Sequence, residues 1–256
     1  MLLRRLGNKS QLAEKIQRYF PAHTSYIDPF FGAGGMYFKK HPKAKYNFLN
    51  DKDRDVYNLF RVLVDQPDEL AEWVELCPIS QCQFDEWTAG KREATDVLNA
   101  VRFLFLSNFS LFGAVGTLKV VIGNRKKILL KNIGDTLKYM QDDNVTNCDF
   151  REVFKKIGFR SEEDKNNCFV YCDPPYLGTG NNYAHGFTEA DSLDLFDVLA
   201  GTGMKWAMSE FDHPFILQQA EARGLFINII GERNNIKNRK TEILVTNYVV
   251  AQQSLF

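Results

Sequence analysis

The 256-residue chain is 45% apolar and 25% charged, ordinary globular values that exclude disordered and fibrous classes. That length allows one well-buried α/β domain plus a smaller insertion. Lys and Arg total 32, as do Asp and Glu, so the net charge is zero and bulk charge does not mark a nucleic-acid binder.

Residues 9–19 have helical spacing, with Leu12, Ile16 and Tyr19 on one face and Pro21 ending the element. Residues 25–28 read as a short buried strand. The glycine-rich turn Phe30-Phe31-Gly32-Ala33-Gly34-Gly35 follows, then a brief helix and a second strand over 46–49 that ends at Asn50-Asp51. Strand, glycine turn, helix and strand open a nucleotide-binding α/β fold. Beyond Arg54 the character changes. Val56, Leu59, Phe60 and Leu63, then Leu70, Trp73 and Val74, then Val97, Val101 and Leu104 are spaced for amphipathic helices. Residues 118–122 suit one arm of a hairpin. The α/β pattern resumes with strands expected over 145–149, 168–172, 205–209, 225–230 and 243–250. Thr188-Glu189-Ala190-Asp191 has the form of a capping box opening a helix. The expected organisation is a discontinuous catalytic domain, 1–54 plus 145–256, interrupted by a mainly helical insertion over 55–144.

Cys77, Cys82, Cys148, Cys168 and Cys172 are odd in number, none has the two-residue spacing of a zinc site, and the four histidines are scattered. Reduced thiols and no metal are expected. The opening apolar run is too short for a signal peptide. No segment approaches the roughly 20 apolar residues of a membrane span, so a cytoplasmic setting with no membrane partner is expected.

The segment that carries chemistry is Asp173-Pro174-Pro175-Tyr176, directly after the apolar strand ending at Cys172. An exocyclic amine on a purine is a poor nucleophile because its lone pair is delocalised into the ring. A carboxylate and a backbone carbonyl that accept its hydrogens localise that pair. Two prolines fix φ and remove competing N–H groups, so the Pro174 carbonyl is rigidly aimed. An aspartate side chain, with a reference pKa of roughly 3.9, is the residue type that can accept those bonds at neutral pH. Tyr176 offers a face for stacking an extruded base. Upstream, Asp28-Pro29-Phe30-Phe31-Gly32-Ala33-Gly34 lets the backbone approach a cofactor closely, with Phe30 as a wall. It lacks the third glycine of the dinucleotide fingerprint. Asp51, 19 residues after Gly32, stands where an acid binds ribose hydroxyls, a cap or turn residue being the plain alternative.

Between Val97 and Gly134 there is no acid, while Arg102, Lys119, Arg125, Lys126, Lys127 and Lys131 fall there. Such a stretch suits a phosphate-contacting surface, with a solvated face as the alternative. Tyr183, His185 and Phe187 follow a Gly/Asn-rich run that reads as a loop closing on an extruded nucleotide, with an ordinary surface loop carrying core-packed aromatics as the alternative. Lys237 and Arg239 crowd a C-terminal turn that suits phosphate contact, with a solvated hairpin tip as the alternative.

Taken in order, Gly7-Asn8-Lys9, Phe30-x-Gly32-x-Gly34, Asp51, Ser107-Asn108-Phe109, Asp149-Phe150, Asp173-Pro174-Pro175-Tyr176 and the ending 240–248 resemble the Dam-like (DNA adenine methylase) group of amino-methyltransferases across nearly the whole chain. The resemblance implies a Rossmann-like sheet with helices on both faces and S-adenosyl-L-methionine as cofactor. It implies methyl transfer to the N6 amine of a flipped adenine in double-stranded DNA, with a cognate restriction endonuclease as a possible partner. By position, Lys9 would neutralise the cofactor carboxylate, an exposed lysine at a helix start being the alternative. Phe30 and Gly32 would line the methionine portion, with Asp28 and Gly34 in the same turn. Asp51 would hold the ribose, Asp149 and Phe150 would contact the cofactor adenine (a strand-end cap being the alternative for Asp149), and Asp173 to Tyr176 would take the target base, with Asp173 also bordering the cofactor. Ser107 and Asn108 join Lys119, Arg125, Lys126, Lys127, Tyr183, Lys237 and Arg239 as DNA-contact candidates. The chain departs from the family after Asn108. Leu111 to Gly116 replace a base-reading Arg beside an aromatic, so the family's common target sequence is not carried over. Rival readings are an RNA adenine or other amino-group methyltransferase, and a non-catalytic DNA-binding regulator.

Overall fold

In β4 (Cys168–Cys172) all five residues are buried, the continuous apolar run expected of a strand covered on both faces. A computed structural model describes residues 1–5, 7–110, 118, 123–178, 186–234 and 239–250, the side chains of 233, 234 and 239 excepted. The chain divides into two compact units.

One unit comprises Leu12–Phe31, Lys40–Asn50 and Cys148–Phe256. Its strands are β1 (Ser25–Asp28), β2 (Tyr46–Asn50), β4, β5 (Lys205–Phe211), β6 (Phe226–Asn234) and β7 (Arg239–Thr246), in spatial order β2-β1-β4-β5-β7-β6. The first four run parallel, and β7 is antiparallel to both β5 and β6. After β1 the order reverses, β2 on one side and β4 on the other. The carboxyl ends of β1 and β4 therefore form a switch point, where open α/β sheets leave a crevice for ligands. Side chains alternate along β4. Cys168, Val170 and Cys172 enter a core with Ile27, Leu195, Phe196, Trp206, Met208 and Ile216. Phe169 and Tyr171 face Phe20, which follows helix α1 (Ala13–Gln17), at ring distances of 4.5 and 5.4 Å.

The other unit comprises Met1–Gln11, Gly32–Lys39 and Asp51–Asn147. It contains α2 (Arg54–Asp65), α3 (Pro67–Leu76), α4 (Gln81–Thr88), α5 (Asp96–Phe109), α6 (Arg125–Met140) and the short β3 (Asn144–Thr146). Asp53, Ser80 and Thr95 cap α2, α4 and α5 by accepting from the N–H two or three residues on. The expected apolar faces, Val56, Leu59, Phe60 and Leu63 among them, are buried, except that Trp73 on α3 is 39% exposed. Arg102 corrects the reading of a basic surface: it is 7% exposed, its guanidinium bonding the Lys91 and Trp87 carbonyls and Asp55.

Several strand boundaries also differ from expectation, with β5 running on to Phe211 and β7 beginning at Arg239. Residues 145–149 are not one strand: Asp149 turns out to cap α7 (Phe150–Val153), accepting from the Arg151 N–H. Strand β7 stops at Thr246 because Asn247 folds back, bonding the Trp206 N–H and the Met204 carbonyl. Strand β6 runs on to Asn234. Of the expected hairpin arm, Leu118 bridges Ser110, and 119–122 lie outside the described residues. The remaining helices of the sheet-bearing unit are α8 (Glu162–Asn166), α9 (Glu189–Thr202) and α10 (Pro214–Ala222). The Thr188–Asp191 capping box opens α9 and Gly203, at φ 68°, closes it.

Candidate active site

Asp173-Pro174-Pro175-Tyr176 leaves β4 at its carboxyl end, beside the end of β1. The Tyr176 hydroxyl donates to Glu242 Oε1 at 2.6 Å, and its ring meets Phe211 at 4.7 Å and 86°. The next N–H, of Leu177, donates to Glu210 Oε1 at 2.9 Å. Glu210 and Glu242 are 1% and 0% exposed. Burial, then the charges of Asp173 and Glu242, push the Tyr176 hydroxyl well above its ordinary pKa. The Cys172 thiol is likewise pushed up, by burial and then by Asp28 and Asp173, so it stays protonated.

At the end of β1 the buried Asp28 accepts from the Tyr26 hydroxyl and the Phe30 N–H, both at 3.1 Å. Phe30 meets Phe150 at 5.5 Å and Phe187 at 6.1 Å; Phe150 and Phe187 are 5.9 Å apart. This three-ring wall forms because buried Asn50 latches two backbones, donating to the Pro29 and Cys148 carbonyls and accepting from the Cys148 N–H, each at 3.0 Å. Arg151 lies over Phe150 at 4.4 Å and pairs with Asp149, Asp191 and Asp194 at 3.0, 2.6 and 2.7 Å. Against the upward pull of partial burial, bonds from Arg151 and Thr188 bring the Asp191 carboxyl down to about 2.

In the helical unit Asp51 accepts from the Gly32 N–H at 2.6 Å and the Asp53 N–H at 2.8 Å. Gly32 and Gly34 have φ of 55° and 69°, the left-handed region that favours glycine. A Cβ on Gly35 would lie 1.8 Å from Asn8 Oδ1, so the glycine turn and the Gly7-Asn8-Lys9 segment are in close contact. Lys9 is 3% exposed, with Nζ 3.5 Å from the Gly7 carbonyl, which excludes the exposed alternative.

The DNA-contact candidates are spread out. Buried Ser107 bonds both the N–H and carbonyl of Arg4, and Asn108 bonds the Leu2 and Leu104 carbonyls, so both hold the N-terminal segment on α5. Arg125 donates to the Asn108 carbonyl and Lys126 to that of Glu75, each at 2.8 Å, while Lys127 and Lys131 are exposed. Lys119, Tyr183 and Lys237 lie outside the described residues, and of Arg239 only the backbone, opposite Asn234, is described. Sequence reasoning assigned no role to Glu210, Glu242, Asn50 or Arg151. The signal available for the two acids was their position, Glu210 directly after the expected strand 205–209 and Glu242 directly before the expected strand 243–250.

Residues 6–247 match the model of the D12 class N6 adenine-specific DNA methyltransferase family. The type II methyltransferase M1.LlaDCHI of Lactococcus lactis subsp. cremoris is 24% identical, covering 94% of this chain and 93% of its own. The DNA adenine methylase of Vibrio cholerae is 24% identical over 93% and 92% of the two chains. The retron Ec67 DNA adenine methylase of Escherichia coli is 25% identical over 89% and 80%. With that match over nearly its whole length, on a Rossmann-like sheet, the chain belongs to the D12 class of S-adenosylmethionine-dependent N6 adenine-specific DNA methyltransferases.

Proposed function

We propose that Asp173 to Tyr176 receive the N6 amine of an adenine flipped out of duplex DNA at a specific sequence. The observation that carries this is the motif's place at the switch point, with Asp173 beside rigid prolines and Tyr176 fixed by Glu242. The Asp173 carboxylate accepts one amine hydrogen and the Pro174 carbonyl the other, so the nitrogen lone pair is localised for attack. S-adenosylmethionine, when bound, supplies the electrophilic methyl on its sulfonium. The only cysteine beside the motif is buried and protonated, in keeping with direct transfer.

The donor set fits that cofactor. Lys9 is a buried cation suited to a carboxylate, Asp51 a partly buried carboxylate suited to ribose hydroxyls, and Phe30 and Phe150 form an aromatic wall suited to a purine. Asp149, held by Arg151, serves the cofactor adenine, Asp28 shapes the turn at Phe30, and Gly32 and Gly34 admit the methionine portion. Residues 55–144 serve as a helical target-recognition insertion, in which Arg125, Lys126 and Lys127 contact DNA phosphate together with Lys119, Tyr183, Lys237 and Arg239. Ser107 and Asn108 serve that contact indirectly, by holding the N-terminal segment. Kinship with a type II methyltransferase supports a restriction endonuclease as genetic partner and a cytoplasmic setting.

The test is digestion of treated duplex DNA to nucleosides followed by mass spectrometry. N6-methyldeoxyadenosine is expected from the parent and none from Asp173→Ala, with S-adenosylhomocysteine binding nearly intact in both. Methylation by Asp173→Ala would refute the assignment.

A further inference from the structure

From the bonds that meet the catalytic turn, we infer that Glu242, with Glu210 beside it, is a positioning residue that sets the aim of Tyr176. This rests on the reading in which Asp173 to Tyr176 receive the base. Strands β5 and β7 pair antiparallel with Phe211 opposite Glu242 and Glu210 opposite Ile243, so the two acids occupy adjacent rungs of one ladder. Both are almost wholly buried. Burying an acid side chain costs free energy, and donors that replace its lost hydration offset that cost. Here the donors come from the catalytic turn: the Tyr176 hydroxyl to Glu242 Oε1 at 2.6 Å and the Leu177 N–H to Glu210 Oε1 at 2.9 Å. Glu210 Oε2 takes the Phe211 N–H at 2.6 Å, and the Phe211 ring in turn meets Tyr176 at 4.7 Å. The Tyr176 ring is thus held at its hydroxyl by one acid and along its side by a residue the other acid fixes. Neighbouring strand positions, Met208 and Leu244, are buried apolar residues, so burial alone does not require an acid there. The turn is tied to β4 at its start and to β5 and β7 at its end, which leaves Asp173 and Pro174 on a strap anchored at both ends.

The test replaces Glu242 and follows steady-state methylation beside calorimetric binding of S-adenosylhomocysteine. Glu242→Leu, similar in volume but with no acceptor, is expected to lose kcat on the order of 10²-fold with cofactor binding and KM for DNA changed less than threefold, since misplaced reacting groups cost about that much. Glu242→Gln keeps an acceptor oxygen and is expected to restore kcat to within about fivefold of the parent. If Glu242→Leu fails to bind S-adenosylhomocysteine, Tyr176→Phe breaks the same bond from the other side and is expected to lower kcat with little change in KM. Parent-like kcat in a cofactor-binding Glu242→Leu, or in Tyr176→Phe, overturns the inference, as does Glu242→Gln as impaired as Glu242→Leu. Asp173→Ala assayed in parallel separates the two levels. If it is active, the reading of the turn itself fails; if it is inactive while Glu242→Leu is active, only the positioning role fails.

Discussion

The Gly32 N–H donates to the Asp51 carboxylate across 2.6 Å, joining two residues 19 apart in the chain. That bond makes the glycine turn and the acid after β2 one assembly, so the turn's shape depends on the state of the carboxyl. Burial pushes Asp51 up to about 6, held partly back by the N–H groups of Asp53 and Gly32 and by Arg5.

A pH dependence follows. Since the folded-state value lies above the ordinary carboxylate value, the folded chain binds the proton more tightly, and this side chain lowers stability as pH rises from about 4 to about 6. Ribose binding has the opposite preference, because the ionised carboxylate accepts both hydroxyls. Affinity for S-adenosylhomocysteine, measured by calorimetry, is therefore expected to weaken as pH falls through about 6. Asp51→Asn should flatten the profile; a midpoint unchanged in that variant would assign the titration to another group.

Gly35→Ala is expected to destabilise the protein by about 2 kcal/mol, because its Cβ would overlap Asn8 Oδ1 and press on the Ser10 N–H. Gly134, inside α6, has open space around it, so Gly134→Ala should stabilise by about 0.5–1 kcal/mol. Thermal unfolding of the two variants checks both signs, and a neutral Gly35→Ala would show that Asn8 yields freely.

Arg151 holds three carboxylates and covers Phe150, linking the segment proposed to bind cofactor adenine to the start of α9. Arg151→Ala should raise the dissociation constant for S-adenosylhomocysteine about tenfold, the worth of one charge-assisted hydrogen bond. A Lys restores the charge but not the three-way fork and should recover little of it. Equal cofactor affinity in parent and Ala variant would exclude the link.

Within the acid-free stretch, two basic residues should behave differently. Exposed Lys127, changed to Ala, should weaken binding to all duplexes alike and reduce the salt slope by about one unit. Arg102, buried among carbonyls and Asp55, should instead lower the melting temperature when changed to Ala and leave the slope unaltered. A salt slope that moved with Arg102 would mean the buried assignment is wrong.

Local chemistry is written in short stretches of chain, and there the sequence was sufficient. The apolar run of β4, the glycines at positive φ, the capping box at Thr188 and the motif after Cys172 each depend on residues within a few positions of one another. Family kinship was legible for the same reason, since its motifs are local strings in a set order. What the fold alone decided are pairings between distant residues. Tyr176 and Glu242 are 66 positions apart and meet only because β7 runs antiparallel beside β5. Asn50 reaches Cys148 across 98 positions, and Arg102, counted by sequence with the surface charges, lies inside because Asp55 and two carbonyls await it there. Periodicity tells which face of an element is buried. It does not tell which charge that burial encloses, because the compensating partner is chosen by strand order and helix packing rather than by neighbours in the chain.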